Sequence, residues 1–400
     1  MHLLSFLTDA EAKVRVDEHS VIHFDERLDE HDIQVEYRLL CSGMLYPSHF
    51  LSDWSKSDGA RILLSMPIHL LVASQPFEDY PQELVLRFAA PLVTESNGVM
   101  THLYHPDKEV AFDLAALLTL LCRRLVTVAT KVREQHVGSS VPAILADFPV
   151  PAVTRTSRVY WRPRPIEVSY RYDGVHYRSC HPPNVPFDSS QVMHVLARLP
   201  KIKEAAAIIR AARLYASAME RIEDEPDIPY QLLISAVETL AGAALEGWEP
   251  DEVRKIASRG ALISYARKTE HLSPDIAKRI ALESCRDNPW SSQKFKKFLL
   301  DNLDLGAMEV ADDLFIVPTE MCPKRDEIEK AIGEVYRIRS RATHSGQPYP
   351  PSAAIGPSSR VPIRAYDALI NEQSPFPPIG WFERVVNYAF NGFLRSRLSL

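Results

Sequence analysis

The chain has few cysteines, and none of them forms a paired motif. The five cysteines are odd in number and far apart, and no C-x-x-C occurs; they are Cys41, Cys122, Cys180, Cys285 and Cys322. This pattern argues against both a disulfide framework and a zinc site. We therefore expect reduced thiols in a cytoplasmic protein, with no bound metal.

Long hydrophobic runs are also missing. The longest apolar run outside the N-terminus, LAALLTLLC at 114–122, is followed by Arg123 and Arg124. A membrane-spanning helix needs about 20 apolar residues, and the N-terminal MHLLSFLTDAEAK lacks the basic start of a secretion signal. We expect neither secretion nor membrane insertion.

The N-terminal half contains no glycine-rich phosphate loop, no cluster of metal ligands and no nucleophile elbow. These absences disfavour nucleotide-dependent, metal-dependent and serine-hydrolase chemistry in that half. No cofactor is expected.

The charge balance excludes a chain that binds polyanions over its whole surface. The formal net charge is −6, with 46% hydrophobic and 24% charged residues, which is ordinary for a globular chain of 400 residues. Any contact with nucleic acid must come from a local basic patch, such as Arg337, Arg339 and Arg341. The other basic groups are expected to lie on solvated faces: Arg123, Arg124, Arg210, Arg213, Arg221, Lys294, Lys296 and Lys297.

The first 186 residues predict a mixed α and β domain of unknown role, for which a sensor or a regulator is the candidate. Short runs of β type, such as IQVEYRLL and LVLRFAAPLV, are separated by turn residues. One helix is predicted from about Glu109 to Glu134 and is expected to pack on a sheet. Prolines crowd the segment from 150 to 186, so the domain boundary is placed near Pro186.

From residue 187 the hydrophobic period changes from two to 3.6, which predicts an all-helical domain extending to residue 400. Apolar stripes indicate helices over about 205–222 and 230–244. Further helices are predicted at about 250–268, 274–286, 291–303, 324–345 and 379–397. The fold class is therefore an α+β domain followed by an all-α helical bundle.

The segment VYRIRSRATHSG contains the most informative spacing, with Arg339, Ser340 and His344 on one predicted helix. A similar pair, Arg171 and His176, lies in a predicted hairpin around Asp173-Gly174 and is set aside. Arg337 is also within range of His344, as an accessory.

Arg339 falls on the apolar stripe of its helix, where a guanidinium needs a partner or a cleft because its desolvation costs several kcal/mol. Glu238 is the nearest candidate partner. A histidine exchanges protons near neutral pH, so His344 is a candidate acid or base. Together the two side chains offer fixed positive charge for a phosphate and a proton carrier for the ribose 2′-OH, without metal.

Five residues correspond to about 140° on a helix, so Arg339 and His344 do not share a face. Two alternatives remain open: the helix ends near Gly346 and Pro348 and lets His344 move, or the pair faces a second subunit.

These residues resemble the HEPN domain family, and within it the ApeA-like branch. VYRIRSRATHSG resembles the Tyr-x-x-Arg-Ser-x-x-x-His-Gly pattern of that branch. ISAVETLAG resembles its early helix with a Glu, and SSQKFKKFLLDNL its later basic and aromatic helix. The resemblance covers about residues 190–400.

The resemblance implies a homodimer in which two motifs form one cleft that cuts RNA without metal, in prokaryotic antiviral defence or a toxin-like response. It implies that Arg339 holds the phosphate, that His344 transfers a proton and that Ser340 orients them. The residues expected to bind substrate or to support this group are Arg341, Arg337, Tyr336 and Glu238.

A non-catalytic HEPN module that binds nucleotide, RNA or a protein partner is the alternative. Two departures from the family pattern favour it: Ser345 stands where the branch usually has Gly, and Ser340 where the wider family has Asn, Asp or His.

Overall fold

The computed structural model describes the helices and strands given below and the segments that join several of them. Continuous stretches cover residues 124–136, 189–222, 227–284, 290–303, 325–350 and 379–398. Cys180, Cys285 and Cys322, and most of the proline-rich segments at 150–165 and 350–362, lie outside the residues whose side chains are described.

An antiparallel sheet forms the centre of the N-terminal part. In the described part of the chain it has six strands, in the order β5 (Arg61–Leu64), β6 (Ile68–Val72), β7 (Gln82–Pro91), β3 (Asp32–Cys41), β8 (Val126–His136) and β9 (Ala143–Ile144). Side chains alternate across its central strands: Val35, Tyr37 and Leu39 are buried, whereas Glu36 and Arg38 between them are half-buried. This alternation is what an antiparallel sheet with one covered face requires. The strands are β1 (Val14–Val16), β2 (Ile22–Phe24), β3 (Asp32–Cys41), β4 (Met44–Pro47), β5 (Arg61–Leu64), β6 (Ile68–Val72), β7 (Gln82–Pro91), β8 (Val126–His136), β9 (Ala143–Ile144), β10 (Ile166–Tyr172), β11 (Val175–His181), β12 (Asn184–Phe187), β13 (Val310–Ala311) and β14 (Phe315–Ile316).

The helix predicted over 109–134 is correct only in its first half. Helix α1 spans Asp107–Cys122, and the following residues form strand β8, which pairs with β3. The physical reason is the run Val126, Thr127, Val128 and Thr130, whose β-branched side chains fit a pleated surface better than a helix. The packing of α1 on the sheet, through β8 and β3, is confirmed.

The predicted hairpin at Asp173-Gly174 is also confirmed. Strands β10 and β11 pair in antiparallel register from Tyr172 opposite Val175 to Ile166 opposite His181. Arg171 and His176 are opposite each other on these strands, so this pair lies on a β-hairpin and not on a helix.

Helices follow the last strand of the N-terminal part directly, since β12 ends at Phe187 and α2 begins at Ser189. The coarse order of strands first and helices afterwards is therefore confirmed. The second part is not helical throughout as predicted, because Val310–Ala311 and Phe315–Ile316 pair as short antiparallel strands within it. The helices are α2 (Ser189–Arg198), α3 (Ala205–Arg221), α4 (Asp227–Ala244), α5 (Glu252–Ser258), α6 (Gly260–Lys268), α7 (Pro274–Glu283), α8 (Ser291–Asn302), α9 (Arg325–Ser345) and α10 (Ile379–Leu398), with a 3₁₀ turn at Leu199–Lys201. The single helix predicted over 250–268 is divided in two at Arg259 and Gly260.

Helix α1 joins the two parts through a buried polar cluster. Asn387 of α10 donates through Nδ2 to the carbonyl of Leu120 at 2.9 Å and to the Tyr215 hydroxyl at 3.1 Å. The Tyr215 hydroxyl in turn donates to Glu383 at 2.6 Å, and both side chains are fully buried. Buried apolar residues from both parts of the chain form one continuous core. The boundary at Pro186 stays a prediction, with this cluster lying across it.

Two basic residues differ from the expectation of solvated faces. Arg213 of α3 binds both Asp113, whose side chain is fully buried, and Glu109 of α1. Arg124 is 3% exposed. Arg213 thus joins α3 to α1, and its side chain remains 40% exposed.

Helices α8 and α10 approach closely at a glycine. A methyl group placed on Gly392 would lie 2.1 Å from the carbonyl oxygen of Asn302, so only glycine permits this backbone contact. Phe298 of α8 packs against Phe390 and Phe393 of α10 at ring-centroid distances of 6.0 and 5.4 Å. These contacts fix α8 against α10.

None of the helices in the described ranges combines the length and apolar character needed to cross a bilayer.

Candidate functional site

Helix α9 carries the motif as one regular helix. Its buried residues Ile328, Ile332 and Val335 lie in the N-terminal two-thirds and anchor it to the core. The helix continues through Ser345 and ends at Gly346, whose φ of +63° is the left-handed conformation that glycine favours after a helix. His344 therefore lies in the last helical turn and is exposed. The stop predicted at Gly346 is confirmed, and His344 precedes it.

Arg339 is paired with Glu238, as predicted. Its Nη2 donates to Oε2 of Glu238 at 3.1 Å, joining α9 to α4. The side chains are 27% and 22% exposed, so the pair lies at the surface of the core and remains in contact with solvent. A guanidinium has five N–H donors, and one bond to Glu238 leaves others directed outwards.

Tyr336 completes this pair. Its hydroxyl donates to the other carboxylate oxygen of Glu238 at 2.9 Å, and its ring lies under the Arg339 guanidinium, 5.6 Å from the centroid to Cζ. Burial, reinforced by the negative charge of Glu238, raises the pKa of Tyr336 from 10.0 to about 12. At neutral pH the hydroxyl is therefore protonated and acts as a donor. We call Glu238, Tyr336 and Arg339 the Arg339 clasp.

The remaining predicted residues lie on other faces of α9. Ser340 is half-buried, whereas Arg337 and Arg341 are exposed. Arg337 binds Glu334 of its own helix, with Nε to Oε2 at 2.7 Å. This hydrogen bond is the main reason that the pKa of the Glu334 carboxyl is lowered, although its partial burial opposes the effect. The structure thus brings Arg339, Tyr336 and Glu238 together. The other predicted site residues lie on different faces of α9: Ser340, His344, Arg337 and Arg341.

Arg339 and His344 point in different directions within one chain. Because α9 is regular between them, the separation is about 140° around the axis and about 7.5 Å along it. A single copy therefore presents the guanidinium and the imidazole to different neighbours.

Sequence reasoning missed the aromatic residues that support the clasp. Phe295 of α8 packs against Tyr336 with ring centroids 5.1 Å apart. Beyond the helix end, Tyr349 is buried and stacks on Tyr230 of α4 at 5.1 Å. Burial raises the pKa of Tyr349, Asp227 adds to this, and the positive charge of Arg339 opposes it. The aromatic residues of SSQKFKKFLL are visible in the sequence, but the packing of one of them, Phe295, against Tyr336 is not.

No metal centre is found among the described residues, where no three His, Cys, Asp or Glu side chains gather in a geometry that could hold an ion. Burial also raises the pKa of the Cys122 thiol well above its ordinary value, with Cys41 adding to the effect and Arg124 opposing it. A thiol in that state is a poor nucleophile and a poor metal ligand.

Comparisons with protein-family models, with curated proteins and with solved structures found no match for this chain. A functional assignment therefore depends on the residues of the motif and on the geometry around them.

Proposed function

We propose that this protein is a metal-independent endoribonuclease of HEPN type that acts as a homodimer. The observation that carries the proposal is the Arg339 clasp: a guanidinium fixed by Glu238 and Tyr336, five residues before an exposed His344 on the same helix. Such a fixed positive charge suits a phosphate in a strained, highly charged transition state. The resemblance to the HEPN family places the reaction in prokaryotic antiviral defence or a toxin-like response.

The reaction needs one proton removed and one supplied. In the proposed step, a neutral His344 accepts the proton of the ribose 2′-OH, whose oxygen forms a bond to the adjacent phosphorus. The bond from phosphorus to the 5′ oxygen breaks, and that oxygen takes up the proton that His344 accepted. The products are a 2′,3′-cyclic phosphate and a 5′-OH end. Arg339 offsets the negative charge that builds on the phosphate oxygens.

Two copies of the chain supply a geometry that one copy lacks. With about 140° between them, Arg339 and His344 of one helix cannot both face the same phosphate, but Arg339 of one copy and His344 of the other can across a two-fold axis.

A non-catalytic HEPN module remains the second candidate, and one observation favours it. The bond between Arg339 and Glu238 is the kind of ion pair that fixes the packing of two helices without any chemistry. In that case the exposed basic groups at the end of α9 would bind nucleotide, RNA or a protein partner.

The deciding experiment is cleavage of a mixed RNA pool in the presence of EDTA. We expect wild-type protein to produce 2′,3′-cyclic phosphate ends, and His344→Ala to lose at least about 100-fold in rate. Thr343→Ala is the matched control, because Thr343 is an exposed neighbour on the same helical turn. If neither wild type nor control cleaves RNA, the binding module is the better description.

A mixing experiment tests the composite cleft. Heterodimers of Arg339→Ala and His344→Ala contain one intact site if each cleft takes Arg339 and His344 from different copies. An equal mixture should then recover about a quarter of wild-type activity, since half of the dimers are mixed and each has one of two sites. A mixture that stays inactive, with mixed dimers present, shows that each site is built within one copy.

A further inference from the structure

Lys296 of α8 lies directly over Gly333 of α9. A methyl group placed on Gly333 would be 2.9 Å from Nζ of Lys296 and 3.3 Å from its Cε. The ammonium group therefore occupies the space that the missing side chain leaves. The neighbouring contact between Phe295 and Tyr336 holds the two helices in this alignment.

Gly333 shares a helical face with Ser340 and His344, whereas Arg339 lies on another face and, in the proposed dimer, comes from the partner copy. Steps of four, seven and eleven residues lead from Gly333 to Arg337, Ser340 and His344, and all four fall within about 60° around the axis. These residues form a row along α9 from Gly333 to His344. Lys296 adds a positive charge at the Gly333 end of this row. From Gly333 to His344 the helix rises about 16.5 Å, which corresponds to about five stacked nucleotides at 3.4 Å each.

The other lysine on this side of α8 is engaged elsewhere. Lys297 binds Asp301 at 2.7 Å and lies over the Trp248 ring at 5.6 Å. Lys296 forms no ion pair with any carboxylate in the described part of the chain. It is half-buried, so its ammonium is held in place and still reaches solvent.

Acidic side chains limit the row at its Gly333 end. Asp326 and Glu329 lie on the same face of α9, before Gly333, and are exposed. Glu334 is beside the row and is occupied by Arg337. A phosphate backbone is therefore attracted to the stretch from Gly333 to His344 and repelled beyond it.

We propose that Lys296, seated over Gly333, binds a backbone phosphate of the RNA about five nucleotides from the bond that is cleaved. This inference rests on the proposed function and defines the substrate as a strand that extends along α9. Dinucleotides would reach the cleavage residues but not Lys296.

The test measures binding of 2′-O-methyl RNA, which lacks the attacking hydroxyl, as a 12-mer and as a dinucleotide. Lys296→Gln should weaken binding of the 12-mer about five-fold and lower the slope of log K against log salt by about 0.7, the value for one phosphate on a single strand. Dinucleotide binding should not change. Lys297→Gln is the matched control and should leave both values at the wild-type level.

Gly333→Ala provides a second test that unfolding cannot mimic. Alanine favours a helix interior over glycine, so this variant should melt at the same temperature as wild type or higher. Its methyl group should displace the ammonium and weaken 12-mer binding as Lys296→Gln does. If Lys296→Gln binds like Lys297→Gln, this inference is wrong while the proposed function stands. If wild type binds neither RNA, both fail.

Discussion

Arg339 and Glu238 are 101 residues apart in the chain and 3.1 Å apart in the structure. The same carboxylate accepts a hydrogen bond from the Tyr336 hydroxyl, so a single Glu of α4 positions two side chains of α9. The guanidinium is fixed on one side and open on the other. This arrangement fits both the proposed catalysis and simple helix packing, so variants that separate the two roles are informative.

Removal of the Glu238 charge should reduce activity more than it reduces stability. Glu238→Gln keeps the size of the side chain and a carbonyl acceptor but removes the negative charge that holds Arg339. We expect a loss of about 1–2 kcal/mol in the free energy of unfolding. RNA cleavage should fall at least about ten-fold, because a mobile guanidinium no longer meets the phosphate in a fixed geometry. Urea unfolding and cleavage rates measure the two effects.

Glu334→Gln is the control for that variant, since Glu334 binds the exposed Arg337 on the surface of α9. The loss in the free energy of unfolding should stay below about 0.5 kcal/mol. Equal effects of the two variants would show that the Arg339 clasp has no special role.

The stability contributed by Tyr336 should disappear at high pH. Its pKa is raised from 10.0 to about 12 in the folded protein, so the folded state holds this proton more tightly than the unfolded state does. The contribution is complete below about pH 10 and is lost as pH rises towards about 12. Melting temperatures of wild type and Tyr336→Phe should therefore converge between pH 9 and pH 11.5. A difference that stays constant over this range would contradict the assigned environment of Tyr336.

Gly392 should not tolerate a side chain. Gly392→Ala would place a methyl group 2.1 Å from the carbonyl of Asn302, and we expect a loss of about 2–3 kcal/mol as α8 and α10 separate. Because α8 also supports Tyr336 through Phe295, RNA cleavage should fall with stability. Chemical denaturation measures the loss.

Gly242→Ala is the counterpart within α4, because nothing lies within 4 Å of the added methyl group. This variant should gain about 0.5–1 kcal/mol. Destabilisation at Gly242, or none at Gly392, would show that the contact between α8 and α10 is different from the one described.

Asp113 should couple the sheet to the helices. Asp113→Ala removes the buried partner of Arg213, and we expect a loss of about 2 kcal/mol. Because α1 contacts both parts, circular dichroism and tryptophan fluorescence should report one shared transition at a lower urea concentration. Asp301→Ala, which removes an exposed pair with Lys297, should change the midpoint little. Two separate transitions in wild type would mean that the parts fold independently.

The sequence by itself determined the helices of the second half and the composition of the site. The 3.6-residue period predicted α3, α4, α8, α9 and α10 to within a few residues, because each buries one apolar stripe. The out-of-place Arg339 on such a stripe predicted its pairing with Glu238, because an unpaired guanidinium is costly there. The stop at Gly346 followed from the freedom of glycine at positive φ.

Tertiary structure decided what depends on contacts between distant segments. Residues 126–134 have enough apolar spacing to suggest a helix, but pairing with β3 satisfies their backbone groups and makes them strand β8. The position of Lys296 over Gly333, the packing of Phe295 on Tyr336 and the binding of Arg213 to Asp113 have no local signal. Each of them arises only when two helices approach each other, because the free energy that selects the contact comes from the partner segment.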